Sequence, residues 1–207
     1  MINRRDTLAA LAVAALAAKL AKPLSAHHDG AATGDDERVL GDPGAPITVI
    51  EYSSLTCPHC ANFHIQTLPE IKKNYIDTGK VRLFYRHFPF DQPALMAAAL
   101  AECNGDDRLF FNFLNALFDA QDSWARAADP IAALTNIGRL GGLKPDAIAA
   151  CFNDSVLLDR ILASRVEGTA EFDIDSTPTF IIHGEKLVGA QPYERFVDVF
   201  ERLLSGG

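Results

Sequence analysis

Short apolar runs rich in β-branched residues alternate along this chain with stretches in which apolar residues recur every three or four positions. The run 47–52 has the length and composition of a buried strand, and 81–88 is a second strand candidate. Between them, apolar residues follow helical spacing over 63–75, and the pattern stops near Gly79, which suits a helix end. Strand, helix and strand in this order predict a βαβ unit with parallel strands.

The central part of the chain, from residue 92 to about residue 171, has no convincing strand pattern. It contains helical stretches rich in alanine, leucine and phenylalanine, and four or five helices account for them. Strand patterns return at 179–183 and 186–189, on either side of a turn at Gly184-Glu185, and predict a β-hairpin. A final helix is predicted over 192–204.

The N-terminal residues differ from the rest of the chain in composition. Arg4-Arg5 precedes an apolar, alanine-rich stretch, and Ala26 offers a small residue at a cleavage point. This pattern predicts a secretory signal peptide over 1–26. A membrane anchor is not expected, because the run of about 11 apolar residues is too short for a membrane span of about 20. A polar, flexible linker is predicted over 27–38.

Composition and charge limit the classes of partner. The 207 residues are 48% hydrophobic and carry a net charge of −8, which fits one globular domain with an insertion. Loss of 1–26 removes four basic residues and one acidic residue, and the net charge becomes −11. Nucleic acids and anionic membranes are polyanions, so neither is an expected partner. We divide the remainder into a discontinuous α/β domain, 39–91 and 172–207, and an all-helical insertion, 92–171.

The sequence Cys57-Pro58-His59-Cys60 stands where the first strand ends and the helical pattern begins. A cysteine pair on the first turn of a helix places one sulfur at the helix N-terminus, where unpaired N–H groups favour a negative charge. Cys57 is therefore the expected nucleophile, with a pKa well below the free value of about 8.5. Cys60 is expected to resolve the mixed disulfide, and Pro58 and His59 complete the catalytic motif, with His59 near the thiolate.

Two other interpretations of these cysteines stay open. Cys57, Cys60 and His64 are spaced to share one helix face and offer three ligands to a metal ion. A permanent disulfide that closes a small loop is the second alternative. Covalent haem attachment is excluded, because it needs a histidine where this chain has Ala61.

The order of strand, cysteine motif, helix, strand, helical insertion, proline loop, hairpin and helix resembles the DsbA family of thiol-disulfide oxidoreductases over residues 39–204. The resemblance implies an α/β, thioredoxin-like fold with a mixed central sheet and an inserted all-helical domain. The proline loop is Ser176-Thr177-Pro178-Thr179. In the family this loop binds substrate through residues that match Thr177 and Pro178, and the proline follows a cis peptide bond. A trans bond is the alternative.

Glu51 lies six residues before Cys57 and matches the buried acid of the same family. The resemblance implies that its carboxylate accepts or relays the proton as Cys60 reacts. An exposed acid at the end of a strand is the alternative interpretation.

The resemblance implies an exported, periplasmic thiol oxidase that needs no cofactor and no metal. Reduced or unfolded secreted proteins would be its substrates, and a membrane protein resembling DsbB would reoxidise it. A disulfide isomerase or reductase of the same superfamily is one alternative, because Thr-Pro also occurs in isomerases. Only about a dozen residues separate Ala26 from Val39, too few for the oligomerisation module of isomerases, so we expect a monomer. A metal-binding carrier is the other alternative.

Cys103 and Cys151 both fall in the predicted helical insertion. All four cysteines follow the predicted signal peptide, and an even number in an oxidising compartment fits two disulfides. We expect a structural disulfide between Cys103 and Cys151 that closes a loop of roughly 49 residues and stabilises the fold by about 4 kcal/mol. Two free buried thiols are the alternative.

Overall fold

A computed structural model describes residues 37–103 and 105–206 of the chain. The predicted signal peptide, 1–26, and most of the predicted linker, 27–38, lie outside the described residues. The described strands form one mixed sheet of five, in the order β1-β3-β2-β4-β5. They are β1 Arg38–Leu40, β2 Ile47–Ser53, β3 Val81–His87, β4 Thr179–Ile182 and β5 Glu185–Val188.

Strands β2 and β3 form the centre of the sheet. They run parallel, with Glu51 opposite Tyr85, and confirm the predicted βαβ unit. On the other side of β2, antiparallel β4 places Phe180 opposite Glu51. Nearly every residue of β2 is buried, as expected for a strand that is covered on both faces of the sheet.

A continuous helical segment, 58–76, connects β2 to β3. It consists of α1, Pro58–Asn62, a π-helical stretch, Phe63–Thr67, then α2, Leu68–Ile71, and a second π-helical stretch, Lys72–Ile76. Pro58 stands in the first turn, where its missing N–H costs no intrahelical hydrogen bond. The buried side chains of this segment join the main core of the molecule.

Six described helices lie between β3 and β4, which is more than the four or five that the pattern predicted. They are α3 Gln92–Glu102, α4 Asp107–Asp119, α5 Gln121–Trp124, α6 Pro130–Leu140, α7 Pro145–Phe152 and α8 Ser155–Phe172. The single turn α5 is too short to show a periodic pattern in the sequence. Aspartate side chains cap α3, α4, α6 and α8 by accepting backbone N–H bonds.

One disulfide links two helices of this region, and one ion pair joins the region to the sheet. Cys103, at the end of α3, forms a disulfide with Cys151 in α7. Arg38, the last residue of the predicted flexible linker, begins β1 and pairs with Glu102 of α3. The end of that linker is therefore ordered and buried, because Arg38 finds a carboxylate partner there.

The predicted hairpin is present, but its turn lies one residue earlier than expected. His183 and Gly184 both have positive φ, of 51° and 87°, as a two-residue type I′ turn requires, and Glu185 already belongs to β5. The predicted final helix is α9, Tyr193–Leu204, and it buries Phe196, Val199 and Phe200. Over residues 37–103 and 105–206, no helix is both long and apolar enough to cross a membrane.

Candidate active site

The two cysteines of the motif differ sharply in their surroundings. Cys57 caps the N-terminus of the 58–76 segment with an extended backbone, and its carbonyl accepts the N–H groups of Cys60 and Ala61 at 3.1 and 3.2 Å. Its side chain is partly exposed, whereas Cys60 is fully buried one turn further on. Both sulfurs are free thiols in this structure, so the dithiol form is the one described.

The proline loop lies against the first of these sulfurs. The peptide bond between Thr177 and Pro178 is cis. The Cys57 thiol donates to the Thr177 carbonyl over 3.3 Å, although 120 residues separate them in the chain. The fold therefore brings the cysteine motif and the proline loop together, although they lie far apart in the sequence. The alternative of a trans peptide bond before Pro178 is wrong.

Protonation of the two thiols is strongly asymmetric. The pKa of Cys57 is lowered to about 5, chiefly by a hydrogen bond with Cys60, against an opposing effect of burial. The side chain of Thr177 and the backbone N–H groups of Cys60 and His59 lower this pKa further. Burial, followed by the neighbouring Cys57, raises the pKa of Cys60 well above its ordinary value. At neutral pH the pair holds one thiolate, on Cys57, and one thiol, on Cys60.

The other two residues of the motif lie at the surface. Pro58 and His59 are both exposed. The backbone N–H of His59, rather than its imidazole, appears among the groups that lower the pKa of Cys57. His59 thus lowers the pKa of Cys57 through its main chain, and this effect does not depend on its ring.

Glu51 is buried without any exposed surface, so the alternative of an exposed strand-end acid is wrong. One carboxylate oxygen, Oε1, lies 2.8 Å from Nε2 of His64. The second oxygen, Oε2, is buried and has no hydrogen-bond partner among the described residues, and the same is true of His64 Nδ1. The geometry thus leaves one oxygen of this buried carboxylate available to a further hydrogen-bonding partner.

The described residues do not favour the metal-site alternative. They contain no group of three or more His, Cys, Asp and Glu side chains that could hold a metal ion. His64 shares a helical face with Cys60 in the sequence, but its ring bonds to Glu51 and stacks on Phe118 at a centroid distance of 4.2 Å. The histidine therefore has a different partner from the one that its spacing suggested.

One contact of the site has no motif in the sequence. Gln121 of α5 is buried, and its Nε2 donates to the carbonyls of Leu55 and Cys57 at 2.8 and 3.0 Å. The helical region thereby holds the main chain on both sides of the residue that precedes Cys57. A lone glutamine in a helical stretch gives no sequence signal, and only the fold reveals this role.

Known proteins share this arrangement. The thioredoxin family matches residues 33–202. The crystal structure of alpha-DsbA1 from Wolbachia pipientis is 37% identical, has a TM-score of 0.77, and covers 83% of this chain and 92% of its own. The chain belongs to the DsbA-like branch of the thioredoxin superfamily.

Two relatives of known sequence support the same membership. A Rickettsia felis protein named as a protein-disulfide oxidoreductase is 38% identical over 152 residues, which are 72% of this chain and 54% of that protein. Disulfide bond formation protein D of Bacillus subtilis is 27% identical over 183 residues, or 81% of this chain and 77% of that protein. The chain thus spans about half the length of the Rickettsia relative.

Membership of the DsbA-like family confirms the predicted fold class. The sheet and the 58–76 segment form the thioredoxin-like part, and the helices between β3 and β4 interrupt it. DsbA-like proteins are thiol-disulfide oxidoreductases, and the free dithiol at a helix N-terminus is the chemistry that this class requires.

Proposed function

We propose that this chain is an exported, periplasmic thiol oxidase that introduces disulfide bonds into reduced or unfolded secreted proteins through Cys57 and Cys60. The observation that carries the proposal is the asymmetry of the two thiols. A thiolate held at a pKa of about 5 stabilises the reduced form, so the disulfide form is a strong oxidant.

The proposed reaction begins when a substrate thiolate attacks the sulfur of Cys57 in the oxidised protein. The Cys57–Cys60 bond breaks, Cys60 leaves with the electron pair, and it takes a proton because its buried thiolate is unfavourable. A second substrate thiolate then attacks the substrate sulfur of the mixed disulfide. Cys57 departs as a stable thiolate, and the substrate has lost two electrons to the enzyme.

Three further residues support this reaction in the proposal. Glu51 supplies and later removes the proton of Cys60, acting from the strand directly before the motif. Thr177 and Pro178 bind the extended substrate segment beside Cys57, since the Thr177 carbonyl already contacts that sulfur. Pro58 and His59 place backbone at the exposed edge of the motif, where the substrate arrives.

Export and reoxidation complete the proposal. The Arg-Arg and apolar pattern before Ala26 supports a signal peptide, and the Cys103–Cys151 disulfide fits an oxidising compartment. Electrons would leave the reduced enzyme through a membrane partner resembling DsbB. Redox exchange between thiols requires no cofactor, and we expect the enzyme to act as a monomer.

The test is the equilibrium of the Cys57–Cys60 pair with glutathione, combined with titration of the Cys57 thiolate by its ultraviolet absorbance. We expect a potential nearer to about −120 mV, as for DsbA, than to about −270 mV, as for thioredoxin. The thiolate should titrate with a midpoint near 5, and the Cys57→Ser variant, which lacks it, provides the blank. A midpoint near 8.5 together with a thioredoxin-like potential would refute the oxidase.

A further inference from the structure

A cleft of about 480 Å³ lies beside the buried pair of Glu51 and His64. Residues of β1, of the 58–76 segment and of α4 line it, and His64 is one of them. Its other walls include Leu68, Lys72, Asn112 and Asn115. None of the described residues that line the cleft belongs to the Cys57-Cys60 motif or to the Thr177-Pro178 loop. The cleft is thus separate from the surface where substrate meets Cys57.

His64 connects this cleft to the active-site carboxylate. Its Nε2 lies 2.8 Å from Glu51, while its Nδ1 is buried and has no partner among the described residues. Stacking on Phe118 and an edge contact with Tyr85 fix the plane of the ring. An imidazole held in this way can take a proton on one nitrogen and release it from the other.

We propose that His64 is a positioning residue that exchanges protons between Glu51 and the cleft, so that Cys60 can be protonated or deprotonated while substrate covers Cys57. The inference rests on the proposed function, because it concerns the proton of Cys60 in the same reaction. It deepens that function by giving the proton a separate route.

The proton balance of the route follows the two half-reactions. When the Cys57–Cys60 bond breaks, the Cys60 thiolate takes a proton from Glu51, and His64 returns one to Glu51 from the cleft. During reoxidation Cys57 is held in a mixed disulfide with the proposed reoxidising partner, and Cys60 attacks the Cys57 sulfur of that bond. The partner's sulfur leaves as a thiolate with the electron pair, while the proton of Cys60 passes to Glu51 and leaves through His64. No net charge then accumulates in the buried site over a full cycle.

The groups that face His64 are consistent with this role. The carboxylate of Glu51 approaches from β2, and the ring of Tyr85 lies beside it on β3. On the 58–76 segment, Cys60 lies one turn before His64. Helix α4 contributes Phe118, whose ring is uncharged. Besides Glu51, charged side chains line the cleft itself, namely Lys72, Asp107 and Arg108. Glu51 is therefore the carboxylate in direct contact with the ring.

The test is a rapid-quench measurement of the full chain with a reduced peptide that carries one cysteine. The rate at which the Cys57–Cys60 bond opens is followed across pH in weak buffer. His64→Gln retains a hydrogen bond to Glu51 but cannot relay a proton. We expect it to slow bond opening by about tenfold or more, to flatten the pH profile, and to be rescued by added imidazole. The Cys57 titration and the glutathione equilibrium should stay unchanged.

A second variant tests the cleft without altering the pair. Asn112 is exposed and lines the cleft, so Asn112→Trp should obstruct it and slow bond opening in the same direction. Asn136 is exposed on α6, outside the cleft, and Asn136→Trp is the matched control that should react like the wild type. This pair keeps the proposal testable if His64→Gln fails to fold.

The outcomes separate the inference from the proposed function. If Glu51→Gln slows bond opening while His64→Gln and Asn112→Trp have wild-type rates and pH profiles, only the route through His64 is refuted. If Glu51→Gln has no effect either, the proposed role of Glu51 fails with it. A slow His64→Gln whose Cys57 titration shifts and whose rate imidazole does not restore would show a merely structural role, and would overturn the inference.

Discussion

Two carboxylates whose side chains have little or no exposed surface each contact a histidine in this molecule, and their other partners differ. Glu51, on the strand that precedes the dithiol motif, contacts His64 at 2.8 Å. Glu102 contacts His87 at 3.2 Å, where α3 meets the sheet. The first has one partner and one unsatisfied oxygen, whereas the second is surrounded by cations. The same pair of residue types therefore serves two different purposes.

The surroundings of Glu102 fix its charge. Arg38 donates to it from Nε at 2.9 Å and from Nη2 at 2.6 Å, and Arg160 lies 3.5 Å away. Burial raises the pKa of Glu102, but hydrogen bonding and charge from His87, and then from Arg38, lower it to about 2. A carboxylate held in this way stays ionised at any physiological pH and cannot exchange protons.

The number of hydrogen-bonding and charged partners, rather than burial, distinguishes the structural acid from the proposed reactive one. Glu102 joins β1, β3 and α3 through Arg38 and His87. Glu51 joins only β2 to the 58–76 segment, and its second oxygen remains available for a proton. Stability should thus depend strongly on Glu102, and reactivity should depend on Glu51.

The largest expected effect is that of removing Glu102. Glu102→Ala leaves the Arg38 guanidinium buried without its main partner and should lower the free energy of unfolding by about 3–5 kcal/mol. Glu51→Gln keeps the size of the side chain and an amide group that can still hydrogen-bond to His64, so it should change that free energy by less than about 1 kcal/mol. Urea unfolding of both variants measures the difference. Equal losses for the two would contradict the comparison.

The next effect concerns the disulfide that follows Glu102 directly. The double variant Cys103→Ala/Cys151→Ala opens a loop with a sequence separation of 48, and should lose about 2–4 kcal/mol of unfolding free energy. The Cys57–Cys60 equilibrium with glutathione should not change, because neither sulfur of the bridge belongs to the dithiol. A shift in that equilibrium would show that the bridge acts on the active site.

Much of the fold was readable from periodicity, because strand and helix patterns differ most where one face is buried. The parallel pair of β2 and β3 and the hairpin followed from it. The turn did not, because His183 adopts a positive φ, which is uncommon for any residue other than glycine. The positions of Cys57 and Pro178 followed from motifs and a family resemblance. Their contact did not, since it depends on how the sheet is assembled.

The partner of His64 shows why sequence spacing alone misassigns some side chains. Spacing along a helix places His64 near Cys60, and this gave the metal-site hypothesis. It carries no information on which strand packs against that helix, and β2 brings Glu51 within hydrogen-bond distance. Gln121 had no signal at all, because its two acceptors are main-chain carbonyls that any sequence provides.

Gln121 gives the smallest expected effect and extends the comparison to the main chain of the active site. Gln121→Leu removes the donor to the Leu55 and Cys57 carbonyls and should cost about 1 kcal/mol in unfolding free energy. It should also raise the pKa of the Cys57 thiol slightly, since the backbone N–H groups that stabilise the thiolate lose part of their fixed geometry. Thiolate absorbance measures this shift, with the exposed Gln66→Leu as the control. If the Cys57 titration of Gln121→Leu equals that of the control, the helical region supports the fold near the dithiol without tuning its thiolate.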